Sequence, residues 1–394
     1  MQKRFISLFI ATAAILSACC GVFYAQNQGK KVSNTTPYPS YSFTFSLNDA
    51  GDSLQLCAIA GYPEALSKKL EIEGFEDIEF FQYENSLKSD NKAGLALAHK
   101  EGVLLAVIRG TKDEEWYSNF YVGEGAEHAG FSSAAQLVLE NIEYYINRYS
   151  LQSSDTVIHF TGHSRGAAVA NLAASRLIDN GLFKNVSAYT FACPNTTTST
   201  TAELEKYRSI VNIINPQDFI CYIPLPQWNY KRYGQTVELP KSDTTENFDA
   251  LYEKMSRAYA TSNCTELRDF PNKGEDVESI ISYLYYLAPT VEDYYQKEIA
   301  VGSLRLTMYD YMMKLAAVMN NENPLLHGLF MLSCKAVPEV CPITDFVFSG
   351  LSDSEITSAD AFENTAVVAN HMPEAYFAWL NTLEESYFVE RLMQ

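Results

Sequence analysis

The chain has 394 residues, 47% of them hydrophobic and 13% aromatic, and 29 Lys+Arg against 48 Asp+Glu give a net charge of −19. That composition supports a large core and excludes a disordered or collagen-like chain. Without a Lys/Arg run to neutralise phosphates, it also argues against a nucleic-acid ligand, and against adsorption to anionic membranes by charge alone.

Lys3 and Arg4 precede an apolar run from Phe5 to Ala18, the layout of a secretory signal peptide over residues 1–18. Leu16-Ser17-Ala18-Cys19 resembles the bacterial lipobox, in which the cysteine is lipidated and becomes the mature N-terminus. Cleavage after Ala25 and an uncleaved anchor are the alternatives. The expectation is an exported protein, extracellular or lipid-anchored through Cys19 at the outer face of the cell membrane. Residues 19–45 read as a flexible tether.

Residues 52–73 have helical spacing of apolar positions. Gly94–His99 and Val103–Arg109 read as a hairpin across Lys100-Glu101-Gly102. Ser132–Arg148 reads as an amphipathic helix, Asp155–Thr161 as a buried strand, and Arg165–Asn180 as a helix closed by Gly181. Val186–Ala192, Ser209–Ile214 and Gln235–Leu239 are further strands. Strands alternating with helices predict an α/β fold with a mostly parallel central sheet. The catalytic core is expected over 46–240 and 366–394, interrupted by a mostly helical, strand-poor insertion over 241–365 that could cap it. Beyond Cys19 and Cys20, six cysteines remain. An even count permits disulfides in an exported protein, with Cys334 and Cys341 close enough for a local loop. Cys57, Cys193 and Cys221 lie in apolar stretches that suit free buried thiols. No Cys/His spacing suggests a metal site, and no cofactor is expected.

Gly162-His163-Ser164-Arg165-Gly166 is G-x-S-x-G, directly after an apolar strand and directly before an Ala-rich helix. That is the setting of a nucleophile elbow, a turn too tight for side chains two residues before and after the serine, hence Gly162 and Gly166. A serine hydroxyl needs a base, and the base an orienting carboxylate. Asp218 follows the strand Ser209–Ile214 through Asn215-Pro216-Gln217, at the same sheet edge; a turn aspartate capping its own backbone is the bland reading. Only His327 and His371 follow Asp218. His327 lies in an apolar stretch. His371 is expected in a loop ahead of the terminal helix opened by Pro373, which favours it as the base.

These residues carry a resemblance. Thr161 to Ala168 resembles the nucleophile motif of the class 3 (fungal-type) lipase family, within the α/β-hydrolase superfamily. Val107-Ile108-Arg109-Gly110-Thr111 is similar to that family's oxyanion strand, His128-Ala129-Gly130-Phe131 to the opening of the helix before the nucleophile, and Tyr189 to Pro194 to a strand end. Asn212 to Pro224 and His371 to Tyr376 resemble the segments bearing the Asp and the His. The chain thus looks like a bacterial exported member with a large insertion before the catalytic His. The resemblance implies a serine hydrolase of carboxylic esters, most simply a lipase on acylglycerol-type lipids, with Ser164, Asp218 and His371 as triad. The amides of Thr111 and Arg165 would form the oxyanion hole. The same fold hosts carbohydrate acyl esterases, and a non-catalytic surface-displayed binding protein is the reading of another class. Small-molecule or lipid esters are the partners implied, and no protein partner. Two departures stand out. Arg165 replaces the family's usual Leu and is expected to need an acidic partner or an anionic substrate group. Lys112 to Glu127, at the place of the family's lid, is short and acidic, with Asp113, Glu114 and Glu115.

Overall fold

The computed structural model describes residues 43–82, 92–112, 115–263, 277–301, 304–319, 338–349, 352 and 365–393. Among these, seven strands form one sheet in chain order: β1 (Glu76–Phe81), β2 (Leu95–Lys100), β3 (Val103–Ile108), β4 (Val157–His163), β5 (Asn185–Phe191), β6 (Ile210–Ile214) and β7 (Gln235–Glu238). β1, β2 and β3 pair antiparallel, and β3 to β7 run parallel, as the strand–helix alternation predicts. The parallel register places the strand ends level. Ile108 lies opposite Gly162, His163 opposite Phe191, and Phe191 opposite Ile213. The loops after β3, β4, β5 and β6 therefore open at one sheet edge, where ligands of open parallel sheets bind.

Two helical layers cover the sheet. On one face α4 (Ala129–Tyr149) and α5 (Arg165–Asn180) bury Phe131, Tyr145, Leu172 and Ala173 against Ile158, Phe160 and Ala188. α5 buries Ala167, Ala168, Ala170, Ala173 and Ala174, and its Asn171 donates to Asn212 of β6 at 3.0 Å. On the other face lie α1 (Leu47–Ile59), α6 (Phe248–Asn263) and α12 (Pro373–Leu380), with Leu54, Met255 and Trp379 packed on Tyr189, Val211 and Ile213. α2 (Pro63–Ile72) adds Leu66 and Leu70 beneath Leu105 and Val107.

Several expectations are corrected. The helix expected over 52–73 is two helices, because Pro63 lacks the N–H to continue α1 and instead opens α2. β1 has no counterpart in the sequence reading, since Glu-Asp-Ile-Glu is too polar to signal a strand. The tether does not extend to 45: Phe45 is buried and stacked on Phe388 at 5.1 Å, with Tyr189 edge-on. Over 241–365 the described elements are helices and one hairpin. Beside α6, which packs on the sheet, the stretch holds α7 (Val277–Leu287), α8 (Val291–Gln296), α9 (Met308–Met319) and α10 (Cys341–Val347), with the hairpin β8 (Glu298–Val301) and β9 (Leu304–Thr307).

Several apolar clusters pack residues of 241–365 on the core, among them one that joins Val277 and Ile281 to Leu225. Tyr294, Met308, Tyr311 and Ile343 join Val122, from the loop after β3, and Tyr230, from the loop after β6. α11 (Ala366–His371) then returns the chain to the sheet edge. Cys57, Cys193 and Cys221 are buried free thiols, and burial pushes the first two up to about 12. Cys19, Cys334 and His327 lie outside the described residues. Among the described residues, no helix is long and apolar enough to cross a membrane.

Candidate active site

β4 ends at His163, and the chain turns into α5 at Ser164 with φ 57° and ψ −127°. For a non-glycine residue this sparsely populated conformation costs about 1–3 kcal/mol of backbone strain. The glycines make the turn possible. A Cβ on Gly162 would sit 2.3 Å from the Gly166 carbonyl carbon, and one on Gly166 would sit 2.2 Å from the Ile108 oxygen. No side chain fits between β3, β4 and the first turn of α5.

The strained turn predicts a trade between stability and chemistry. Ser164→Gly should be more stable than Ser164→Ala by about 1–2 kcal/mol, since only glycine adopts this backbone freely. Urea midpoints of the two variants measure the difference, and equal midpoints would show that the turn carries no strain.

Ser164 Oγ lies 2.8 Å from His371 Nε2, and His371 Nδ1 lies 2.8 Å from Asp218 Oδ2. With Nδ1–H donating to the carboxylate, Nε2 is left to accept the serine proton, which is the tautomer a general base needs. Asp218 is wholly buried and also performs the cap of the bland reading, its Oδ1 accepting from Ile220 N at 3.1 Å. Its Oδ2 accepts from Tyr376 Oη at 2.9 Å and from the Cys221 thiol at 3.3 Å. His371 does not lie in a loop; it is the last residue of α11, and Pro373 opens α12 two residues on. His163 Nε2–H donates to the His371 carbonyl at 2.6 Å, fixing the backbone that carries the imidazole. Burial and the neighbouring His371 lower His163 to about 3, so it stays a neutral donor.

Residues 106–228 match the family described as Lipase (class 3). Relatives similar in sequence include a plant and a fungal enzyme. A phospholipase A1-II of Oryza sativa subsp. japonica is 34% identical over 83 residues, 20% of either chain. A secreted mono- and diacylglycerol lipase of Malassezia globosa is 26% identical over 181 residues, 40% of this chain and 58% of that protein. The chain thus spans a fifth of the first relative and little more than half of the second. Among solved structures, the Rhizomucor miehei triacylglyceride lipase covers 51% of this chain and 83% of its own, at 16% identity and a TM-score of 0.41.

The resemblance places an oxyanion hole at the amides of Thr111 and Arg165. Arg165 opens α5, upstream of the first intrahelical bond from Ala168 N to Ser164 O, so its N–H lies at the positive end of the helix. Thr111 lies in the loop after β3, and Gly110 of that loop approaches the His163 carbonyl, where a Cβ would lie 3.4 Å away.

Asn119, which sequence reasoning missed, together with His128 and Glu115 ties the segments that carry Thr111 and Arg165. Asn119, at the end of α3 (Glu115–Asn119), donates from Nδ2 to Thr111 Oγ1 at 2.9 Å and accepts at Oδ1 from Arg165 Nη1 at 2.8 Å. His128 Nε2 holds the Asn119 carbonyl at 3.1 Å; burial and the nearby Arg165 lower this histidine to about 3. Glu115, read from sequence as a lid acid, is instead fully buried. Its Oε1 accepts from Arg109 Nη2 at 2.7 Å and its Oε2 from Lys112 N at 2.7 Å, so it pins both sides of Thr111. The Arg165 guanidinium is buried over the Phe131 ring at 5.8 Å and donates to Asn119 Oδ1 and the Lys92 carbonyl. Among the described residues, no group of three or more His, Cys, Asp or Glu is disposed to hold a metal ion.

Proposed function

We propose that this chain is a serine hydrolase of carboxylic esters, acting on acylglycerol-type lipids. The observation that carries the reading is the unbroken line from Ser164 Oγ through His371 to buried Asp218, with both contacts at 2.8 Å. In this reading His371 takes the Ser164 proton as Oγ attacks the ester carbonyl. Asp218 stabilises the imidazolium, and the amides of Thr111 and Arg165 hold the tetrahedral oxyanion. His371 then returns the proton to the leaving alcohol. Water hydrolyses the acyl-enzyme with the same base. The triad is built from the chain's own side chains, and the reaction needs no cofactor.

The choice of acylglycerol rests on the class 3 lipase match over 106–228 and on the mono- and diacylglycerol lipase among the relatives. Export, with anchoring through Cys19, belongs to the same reading and is supported by the N-terminal sequence and by the word "secreted" in that relative's name. Incubation with a fluorophosphonate, which forms a Ser164 Oγ–phosphorus bond as fluoride leaves, tests the chemistry. Labelling of Ser164 is the expected result; an unlabelled, folded protein would favour a binding role instead. Rates on monoacyl-, diacyl- and triacylglycerol beside phospholipid and acylated sugars test the substrate class. Faster turnover of acylated sugars than of every glyceride would overturn it.

The same arrangement predicts a pH profile. His371 must be unprotonated to activate Ser164, whereas His163 and His128 are already neutral above about 3. The logarithm of kcat/KM should therefore fall with unit slope as the solution is acidified, one proton silencing the enzyme. A slope of two would show that a second imidazole titrates with the base.

A further inference from the structure

Tyr294 and Tyr295, side by side in α8 of the insertion, both reach the stretch that follows α3. Tyr294 Oη donates to the Phe120 carbonyl at 3.0 Å, and Gly123 N donates to Tyr295 Oη at 2.9 Å. The two hydroxyls thus grip the ends of a four-residue segment with complementary roles, one donating and one accepting. The rings give the grip its rigidity. Tyr294 is buried against Trp228 at 5.6 Å, Tyr309 lies 5.8 Å from Tyr294 and 4.9 Å from Tyr295, and Val122 lies in the same cluster. Burial holds the Tyr294 phenol well above its ordinary range, so it remains a neutral donor.

The gripped segment begins one residue after Asn119, whose side chain joins Thr111 to Arg165. On the opposite side α4 holds the same stretch, through Ala129 N to the Val122 carbonyl at 2.7 Å and Gly130 N to the Tyr121 carbonyl at 3.1 Å. Core and insertion thus clamp it between them, and any displacement of Phe120 is passed directly to Asn119.

We propose that Tyr294 and Tyr295 are positioning residues that let the insertion, acting through Asn119, hold the oxyanion-binding loop in its working shape. The inference rests on the serine-hydrolase reading. It assigns the insertion a role in the chemical step rather than only in substrate choice, because an oxyanion donor a fraction of an ångström out of place loses much of its value in the transition state. It also implies that the donors are assembled before substrate arrives.

Five variants test this: Tyr294→Phe, Tyr295→Phe, the double variant, Asn119→Ala, and the double variant combined with Asn119→Ala. Each Phe keeps the ring and removes only one hydroxyl, so the cluster is retained. Kinetics are measured well below each variant's melting temperature, with ester kcat and KM determined beside the second-order rate of fluorophosphonate labelling at Ser164. The double variant should lose on the order of tenfold in both kcat and labelling rate, with KM within about twofold. In the Asn119→Ala background the same two substitutions should cost less than about twofold, because the link is already cut. A double variant that melts earlier but labels at the wild-type rate would overturn the proposal, as would a tenfold loss that persists without Asn119. Failure of the hydrolase reading looks different: the wild type itself would not label.

Discussion

Ser164→Ala is expected to lower kcat by on the order of 10⁶ while leaving the fold intact. Alanine removes the hydroxyl that meets His371 Nε2 and keeps the Cβ and the backbone of the turn. His371→Ala should cost about as much, and the double variant little more than either alone, because nucleophile and base act as a unit. Ester hydrolysis by each variant against the wild type, with circular dichroism to verify folding, makes the comparison. A Ser164→Ala protein that keeps even a tenth of the activity would remove the serine from its role.

Glu115→Ala should destabilise the protein by about 3–5 kcal/mol, because it strips a buried carboxylate from a buried guanidinium. The Arg109 and Glu115 side chains are 7% and 0% exposed, so water cannot replace the ion pair. The Lys112 amide is deprived of its acceptor in the same step. Thr111 lies between Arg109 and Lys112, so activity should fall together with stability. Glu115→Gln keeps an acceptor for the Lys112 amide and should cost less. Guanidinium denaturation of both variants gives the answer, and a loss below about 1 kcal/mol for Glu115→Ala would show that the ion pair does not hold this loop.

The difference between these two predictions follows from what each residue's neighbours are in the chain. The turn at Ser164 was legible because its requirements are local. An apolar strand, two glycines and an alanine-rich helix are dictated by sterics within a dozen residues, and β4 and α5 form where the pattern puts them, α5 to the residue. The hairpin β2–β3 and the alternation that makes the sheet parallel are local in the same sense. Glu115 carries no such mark. A glutamate beside other acids reads as a solvated surface, and only the approach of Arg109 converts it into a buried partner.

By itself, then, the sequence determined the α/β class, the turn that exposes Ser164, and the order serine, aspartate, histidine along the chain. Tertiary structure decided which side chains face each other across long separations. Ser164 and His371 stand 207 residues apart, Asp218 and Tyr376 158, and Gly123 and Tyr295 172. Such pairings are not written in periodicity or turn chemistry. They exist because level strand ends bring four loops to one edge, and because burying the aromatic face of the insertion against Val122 and Tyr230 offsets the entropy of closing so long a loop.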